Sequence, residues 1–173
     1  DVIAIIGTPN ESKKNYIDGL GGGEYVKMIH GLVTGDAPTV NLGSEKNLIN
    51  CIITLINSKF INSAHDVSDG GLAVALAESC LMNRTFPIGC NVNIKYRVRK
   101  DFVLFNESQS WIVISYEKQN ESEIARICKE KDIIHANIGV TGGDSIKIND
   151  DIKLTLYSSK DAYYDSIRKV MEN

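Results

Sequence analysis

Residues 63–72 read SAHDVSDGGL, and the run LAVALAESCLM follows at 72–82. Two carboxylates, Asp66 and Asp69, and the hydroxyl of Ser68 stand directly before Gly70 and Gly71. The run after them is apolar nearly all round apart from Glu78 and Ser79, the pattern of a helix buried in the middle of a structure. Glycines let the backbone approach a ligand. A helix start adds N–H donors and partial positive charge. Ser68, Gly70 and Gly71 therefore form a candidate phosphate or nucleotide site. Asp66 and Asp69 would repel a bare phosphate, so they are candidate ligands to a Mg²⁺ between them and it. The bland alternative is an N-cap, with Ser68 or Asp69 satisfying the first helical N–H groups.

Working outward, residues 2–6 (VIAII) are apolar and β-branched, a buried strand. Residues 7–23 are rich in glycine and polar residues and read as a long loop. Residues 24–31 allow a short helix, and 34–43 are irregular around Pro38. Ser44 is the expected N-cap of a first long helix in which Leu48, Ile49, Ile52, Ile53, Leu55 and Ile56 form a broad apolar face. Residues 61–64 form a brief strand into the acidic turn. A strand broken by polar residues runs through Ile88, Val92 and Ile94, and a strong one covers 111–116 (WIVISY). Residues 120–131 form an amphipathic helix with an Asn120–Glu123 capping box. Strands at 133–140, 145–148 and 152–156 follow, and Ser158 with Asp161 is expected to cap a last helix toward Met171. Strands come in consecutive runs, so the expected class is α+β, a mixed sheet carrying helices.

The chain has 173 residues and a net charge of −3, enough for one domain with a real core. No Lys/Arg stripe with interleaved aromatics points to nucleic acid. No apolar run is long enough to span a bilayer, and no signal segment opens the chain. The four cysteines, Cys51, Cys80, Cys90 and Cys128, lack zinc-ligand spacing and read as buried free thiols of a reducing compartment. The chain opens in a strand without an initiating Met, which suggests a piece of a longer polypeptide, residues 1–173 being one domain of it.

Five segments, in order, resemble the C-terminal domain of phosphoribosylformylglycinamidine synthase, a family within the AIR synthase-related superfamily. They are GLGGGEYVKMIH at 19–30, the Pro38 segment at 38–45, SAHDVSDGGLAVALAESC at 63–80, LFNESQS at 104–110 and GVTGGD at 139–144. The resemblance implies a mixed-sheet domain of an ATP- and glutamine-dependent ligase that converts FGAR to FGAM in the cytoplasm. It implies Mg²⁺ and ATP or ADP as cofactors, contacted by Asp66 and Ser68 at an auxiliary site. The implied partners are N-terminal domains of the same polypeptide and, in a short-form complex, a glutaminase subunit and a small bridging subunit. Catalytic residues are expected elsewhere, so the isolated chain should not catalyse. Glu107, Ser108 and Gln109 are possible substrate-type contacts, since they can accept, donate and bridge.

Two positions depart from the family pattern. Trp111 stands where an Arg is expected, which removes a bidentate phosphate donor. Gly23 stands where a Ser is expected. A different reading, a small-molecule kinase resembling thiamine-monophosphate kinase, is permitted by the Asp-Ser-Asp-Gly turn. A third is a non-catalytic packing module whose turn is only a cap. His65 beside the turn has no orienting partner visible in sequence, and His30 and His135 read as structural or solvated.

Overall fold

The computed structural model describes residues 1–7 and 17–172. Part of the loop expected at 7–23 lies outside the described residues. Its described end is not all loop: Ile17 and Asp18 are helical, and tight turns follow, with Leu20 N–H on Ile17 O at 3.0 Å and Gly23 N–H on Leu20 O at 3.1 Å.

Seven strands form one mixed sheet. They are β1 (Val2–Gly7), β2 (Ser63–Asp66), β3 (Cys90–Val92), β4 (Trp111–Tyr116), β5 (Ile134–Thr141), β6 (Ser145–Ile148) and β7 (Ile152–Thr155). The order across the sheet is β2-β4-β1-β5-β3-β6-β7. All neighbours are antiparallel except β3 and β6. Six helices are described: α1 (Glu24–His30), α2 (Leu42–Asn57), α3 (Gly71–Leu81), α4 (Lys100–Leu104), α5 (Glu121–Glu130) and α6 (Leu156–Met171). The α+β class read from the sequence holds.

Side-chain alternation along the central strands sorts the core into two layers. In β1, Val2, Ala4 and Ile6 point to one face and Ile3 to the other. In β4, Ile114 and Tyr116 join the first set and Val113 the second. The first face packs on Leu48, Cys51 and Leu55 of α2 and Ile124, Ile127 and Cys128 of α5. The second packs on Leu72, Leu76 and Cys80 of α3, with Val103 and Leu104 of α4. The apolar run is thus buried over Leu72 (0 % exposed), Leu76 (1 %) and Leu81 (2 %), while Met82, past the helix end, is 68 % exposed.

Helix starts differ from the expected caps. Asn41, not Ser44, caps α2: its Oδ1 accepts from Gly43 N–H at 3.0 Å and Ser44 N–H at 3.1 Å. The Asn120–Glu123 capping box does not form. Asn120 Nδ2 donates to Phe60 O at 3.0 Å instead, and Glu123 pairs with Arg126 at 2.9 Å. Thr155 caps α6 by accepting from Ser158 N–H at 3.1 Å, while Asp161 pairs with Lys169. Helix α4 was not expected; five residues are too few to display a helical period. Among the described residues no helix is long and apolar enough to cross a membrane.

Candidate functional site

Strand β2 carries the acidic turn to the sheet edge. Asp66 pairs with Ile112 of β4, and Val67 N–H donates to Trp111 O at 2.9 Å. Val67 is buried at 5 % exposure, while Asp66, Ser68 and Asp69 are exposed. Burying Val67 between two polar neighbours turns those neighbours outward. The turn closes with Gly71 N–H on Ser68 O at 2.9 Å.

Gly70 and Gly71 both adopt left-handed backbone, at φ +80° and +72°. Only glycine takes two such residues in succession at low cost. A Cβ on Gly71 would stand 2.6 Å from Phe105 C, so α3 enters against the 105–106 backbone. The cap reading of Ser68 or Asp69 does not hold. Gly70 occupies the N-cap position of α3, with no cap bond from its own end of the chain.

The anion at this helix start is Glu107. Its Oε1 accepts from Gly70 N–H at 2.8 Å and from Glu24 N–H, at the start of α1, at 2.8 Å. A carboxylate at two helix starts complements both partial positive charges. Gly23 explains itself in the same geometry: a Cβ there would stand 2.9 Å from Glu107 Oε2. Glu107 N–H donates to Gly19 O at 2.8 Å, which fixes the segment from the other side. Ser108 N–H donates to Asn106 Oδ1 at 2.8 Å. The buried Ser108 Oγ has no hydrogen-bond partner among the described residues.

These elements enclose a cleft of about 360 Å³. Its polar wall is Glu45, Asp66, Ser68, Asp69, Glu107, Gln109 and Ser110, and its apolar wall includes Leu48, Ile49 and Trp111. The structure thus brings Asp66, Ser68, Asp69, Glu107 and Gln109 onto one cavity. It leaves Gly70, Gly71 and Ser108 behind the lining, with both glycine N–H groups engaged internally. Glu45 was not singled out in the sequence; it lies in the first turn of α2 and accepts from Ser110 Oγ. Among the described residues, no Lys or Arg lines the cleft. The nearby cation is Lys27, 2.9 Å from Glu24 Oε1; that bond first, and Asp69 to a smaller degree, hold its ammonium above the ordinary value.

Four carboxylates, with no basic residue among the described lining residues, fit a divalent cation better than a bare anion. Among the described residues no three His, Cys, Asp or Glu side chains gather as a metal cluster. Trp111 lines this cleft and also a neighbouring cavity of about 340 Å³ that holds Lys95 and Arg97. Trp111 thus contributes to both walls, one cavity acidic and the other basic.

The three histidines stand apart from the acidic lining. His65 Nδ1 lies 2.7 Å from Asp66 O, and its Nε2 lies 3.3 Å from Glu78 Oε2 of α3. His30 is exposed at the end of α1, and His135 bonds Tyr116 Oη at 3.0 Å.

The family described as AIR synthase related protein, C-terminal domain, matches residues 1–151. The chain is 35% identical over 178 aligned residues to phosphoribosylformylglycinamidine synthase subunit PurL of Anaeromyxobacter dehalogenans, covering 99% of this chain and 22% of that protein. It thus spans about a fifth of that relative's length. Among solved structures it resembles Thermotoga maritima PurL complexed with FGAR, with a TM-score of 0.71, 16% identity, and coverage of 92% of this chain and 27% of that one. The same protein complexed with ATP gives a TM-score of 0.64 at 17% identity, covering 92% and 25%. Thiamine-monophosphate kinase of Stenotrophomonas maltophilia gives 0.52 at 16% identity, covering 86% and 50%. The chain belongs to the AIR synthase related protein, C-terminal domain family.

Proposed function

We propose that this chain is the C-terminal domain of a phosphoribosylformylglycinamidine synthase and that its acidic cleft is one wall of a Mg²⁺–nucleotide site. The observation that carries the reading is the cleft itself: Asp66, Asp69, Glu45 and Glu107 around Ser68 and Gln109, with no basic residue among the described lining residues. Asp66 and Asp69 would hold the metal. When bound, Mg²⁺ supplies the positive charge that lets a phosphate sit among carboxylates. The exposed Ser68 hydroxyl donates to a phosphate oxygen, and the Gln109 amide is placed to read a neighbouring polar group. Glu107 holds the turn in place from behind.

The parent reaction is the ATP- and glutamine-dependent conversion of FGAR to FGAM, in the cytoplasm. The rest of the synthase polypeptide supplies the catalytic cleft, and a glutaminase subunit with a small bridging subunit supplies ammonia in a short-form complex. The 173 residues alone bind but do not turn over.

The test is nucleotide titration of the intact synthase and of its Asp66→Asn variant, read at the cleft of this domain, with unfolding curves on both. Mg²⁺–nucleotide affinity there falls at least about tenfold, the loss expected from removing one charged ligand, while stability holds. Unchanged affinity overturns the reading.

A further inference from the structure

The chain past β3 keeps the alternation of the strand. Val92, Ile94, Tyr96 and Val98 pack into the core layer that holds α3, so Asn93, Lys95 and Arg97 between them turn outward. Backbone bonds fix this register. Asn93 N–H donates to Ile138 O of β5 at 2.7 Å, Ile94 N–H donates to Asn149 Oδ1 at 2.7 Å, and Asn149 Nδ2 donates back to Ile94 O at 3.0 Å. Two cations, Lys95 and Arg97, are thereby set on one side of the cavity of about 340 Å³. Leu72, Val103 and Ile138 give it an apolar base, and Trp111 contributes to its wall. Among the described residues no Asp or Glu lines it. Small-molecule pockets run from about 300 to 1,000 Å³ and are mostly apolar with a few polar groups. This cavity has that make-up, at the small end of the range.

We propose that it is a metal-independent binding site for a phosphate monoester of nucleoside size.

Charge decides the anion. A phosphate monoester carries about −1.5 to −2 at neutral pH. Lys95 and Arg97 match that without a metal, whereas a lone carboxylate leaves one cation uncompensated. The guanidinium fork takes two phosphate oxygens and the ammonium acts as a point charge. Asn93, on the same side of the segment, offers an amide donor and acceptor. Asn137 also lines the cavity, but its amide is committed to Tyr116 and Glu121. The apolar base and Trp111 receive the ring of the ligand, as aromatic side chains receive planar rings. The acidic cleft on the other side of Trp111 has the opposite logic, since its carboxylates tolerate phosphate only with a divalent cation. The two sites are independent: neither Lys95 nor Arg97 lines that cleft, and none of its carboxylates lines this cavity.

The test is calorimetric titration of the chain with AMP in EDTA, with fluorescence of Trp111, the one tryptophan of the chain, recorded alongside. AMP binds without metal and changes the Trp111 emission. Lys95→Met and Arg97→Met remove charge and keep an apolar stem, and each weakens AMP about tenfold, the equivalent of about 1.4 kcal/mol. Lys95→Arg restores most of the loss. Both positions are exposed, and urea unfolding of the variants matches the parent. Inorganic phosphate and adenosine each fill half of the site and each bind about tenfold more weakly than AMP. No binding at millimolar AMP overturns the proposal. So does binding that requires Mg²⁺, binding unchanged in both methionine variants, or phosphate or adenosine alone binding as tightly as AMP. Binding in EDTA reports on this cavity and Mg²⁺-dependent binding on the acidic cleft, so the two readings fail separately.

Discussion

The Glu107 carboxylate accepts the Gly70 backbone N–H at 2.8 Å, across 37 residues of sequence. The same oxygen accepts the Glu24 N–H. One side chain thus fixes the start of α3, the start of α1 and the rear of the acidic cleft. Hydrogen bonds to a charged group contribute about 1.5–3 kcal/mol each. With partial exposure taken into account, Glu107→Ala is expected to cost roughly 2–4 kcal/mol in urea unfolding. Glu107→Gln retains an acceptor oxygen and is expected to cost less. Equal losses for the two variants would show that the two N–H bonds are not what Glu107 contributes.

Gly71 is held by geometry that a side chain cannot share. At φ +72°, with Phe105 C 2.6 Å from a would-be Cβ, it faces both a backbone penalty and a backbone collision. Gly31, at φ +66° with nothing within 4 Å, faces the first penalty alone. The left-handed conformation costs a non-glycine residue about 1–2 kcal/mol. Gly31→Ala is expected to lose about that much, and Gly71→Ala clearly more, since overpacking adds about 1–3 kcal/mol. Matching denaturation midpoints for the two variants would show that the 105–106 backbone yields freely.

Much of this was legible because it depends on local pattern. Short apolar runs rich in β-branched residues at 2–6 and 111–116 mark the two central strands, and the 72–82 run, apolar apart from Glu78 and Ser79, marks the buried helix. The acidic turn was readable as a group because its residues are adjacent in sequence. Its cap was not, because the capping group is Glu107, brought in from another segment. Asn41 and Ser44 are both good cap residues three positions apart, and only the backbone decides between them: Ser44 N–H is a donor to Asn41. Glu45 looked like an ordinary first-turn acid until the fold set it beside Asp66. The Cys51–Cys128 sulfur contact spans 77 residues and carries no spacing signal at all.

Leu76 sits at 1 % exposure in the middle of α3, within the core layer that includes Ile3, Val92 and Val113. Leu76→Ala removes buried surface and leaves a cavity, with an expected loss of roughly 2–5 kcal/mol. Ile53, half exposed on α2, is the control. Ile53→Ala is expected to fall within about 1 kcal/mol of the parent, because surface substitutions away from such features change stability little. A Leu76→Ala midpoint indistinguishable from that of Ile53→Ala would remove α3 from the centre of the core.

His135 gives the chain a pH dependence whose sign is set by its surroundings. The ring lies 3.0 Å from Tyr116 Oη, and that hydroxyl donates to Asn137 Oδ1 at 2.5 Å. With its proton committed to Asn137, Tyr116 can only accept from His135 Nε2–H. Burial also pushes the Tyr116 phenol up to about 12, so it stays protonated across the range of interest. Burial likewise holds the His135 imidazole below its ordinary value of 6.5, against an opposing pull from Glu121. In the unfolded chain the imidazole takes a proton near 6.5, and in the folded chain only at lower pH. The unfolded state therefore binds more protons as pH falls through that value. The contribution is fully present above pH 6.5 and is lost as pH drops toward the folded value. Urea midpoints measured on either side of pH 6.5 are expected to fall with acidification, and by less in His135→Gln than in the parent. The His65–Glu78 pair is common to both proteins, so the difference between them isolates His135. An equal fall in parent and variant would show that the ring titrates alike folded and unfolded, and that the Tyr116–His135 contact does not discriminate between its two charge states.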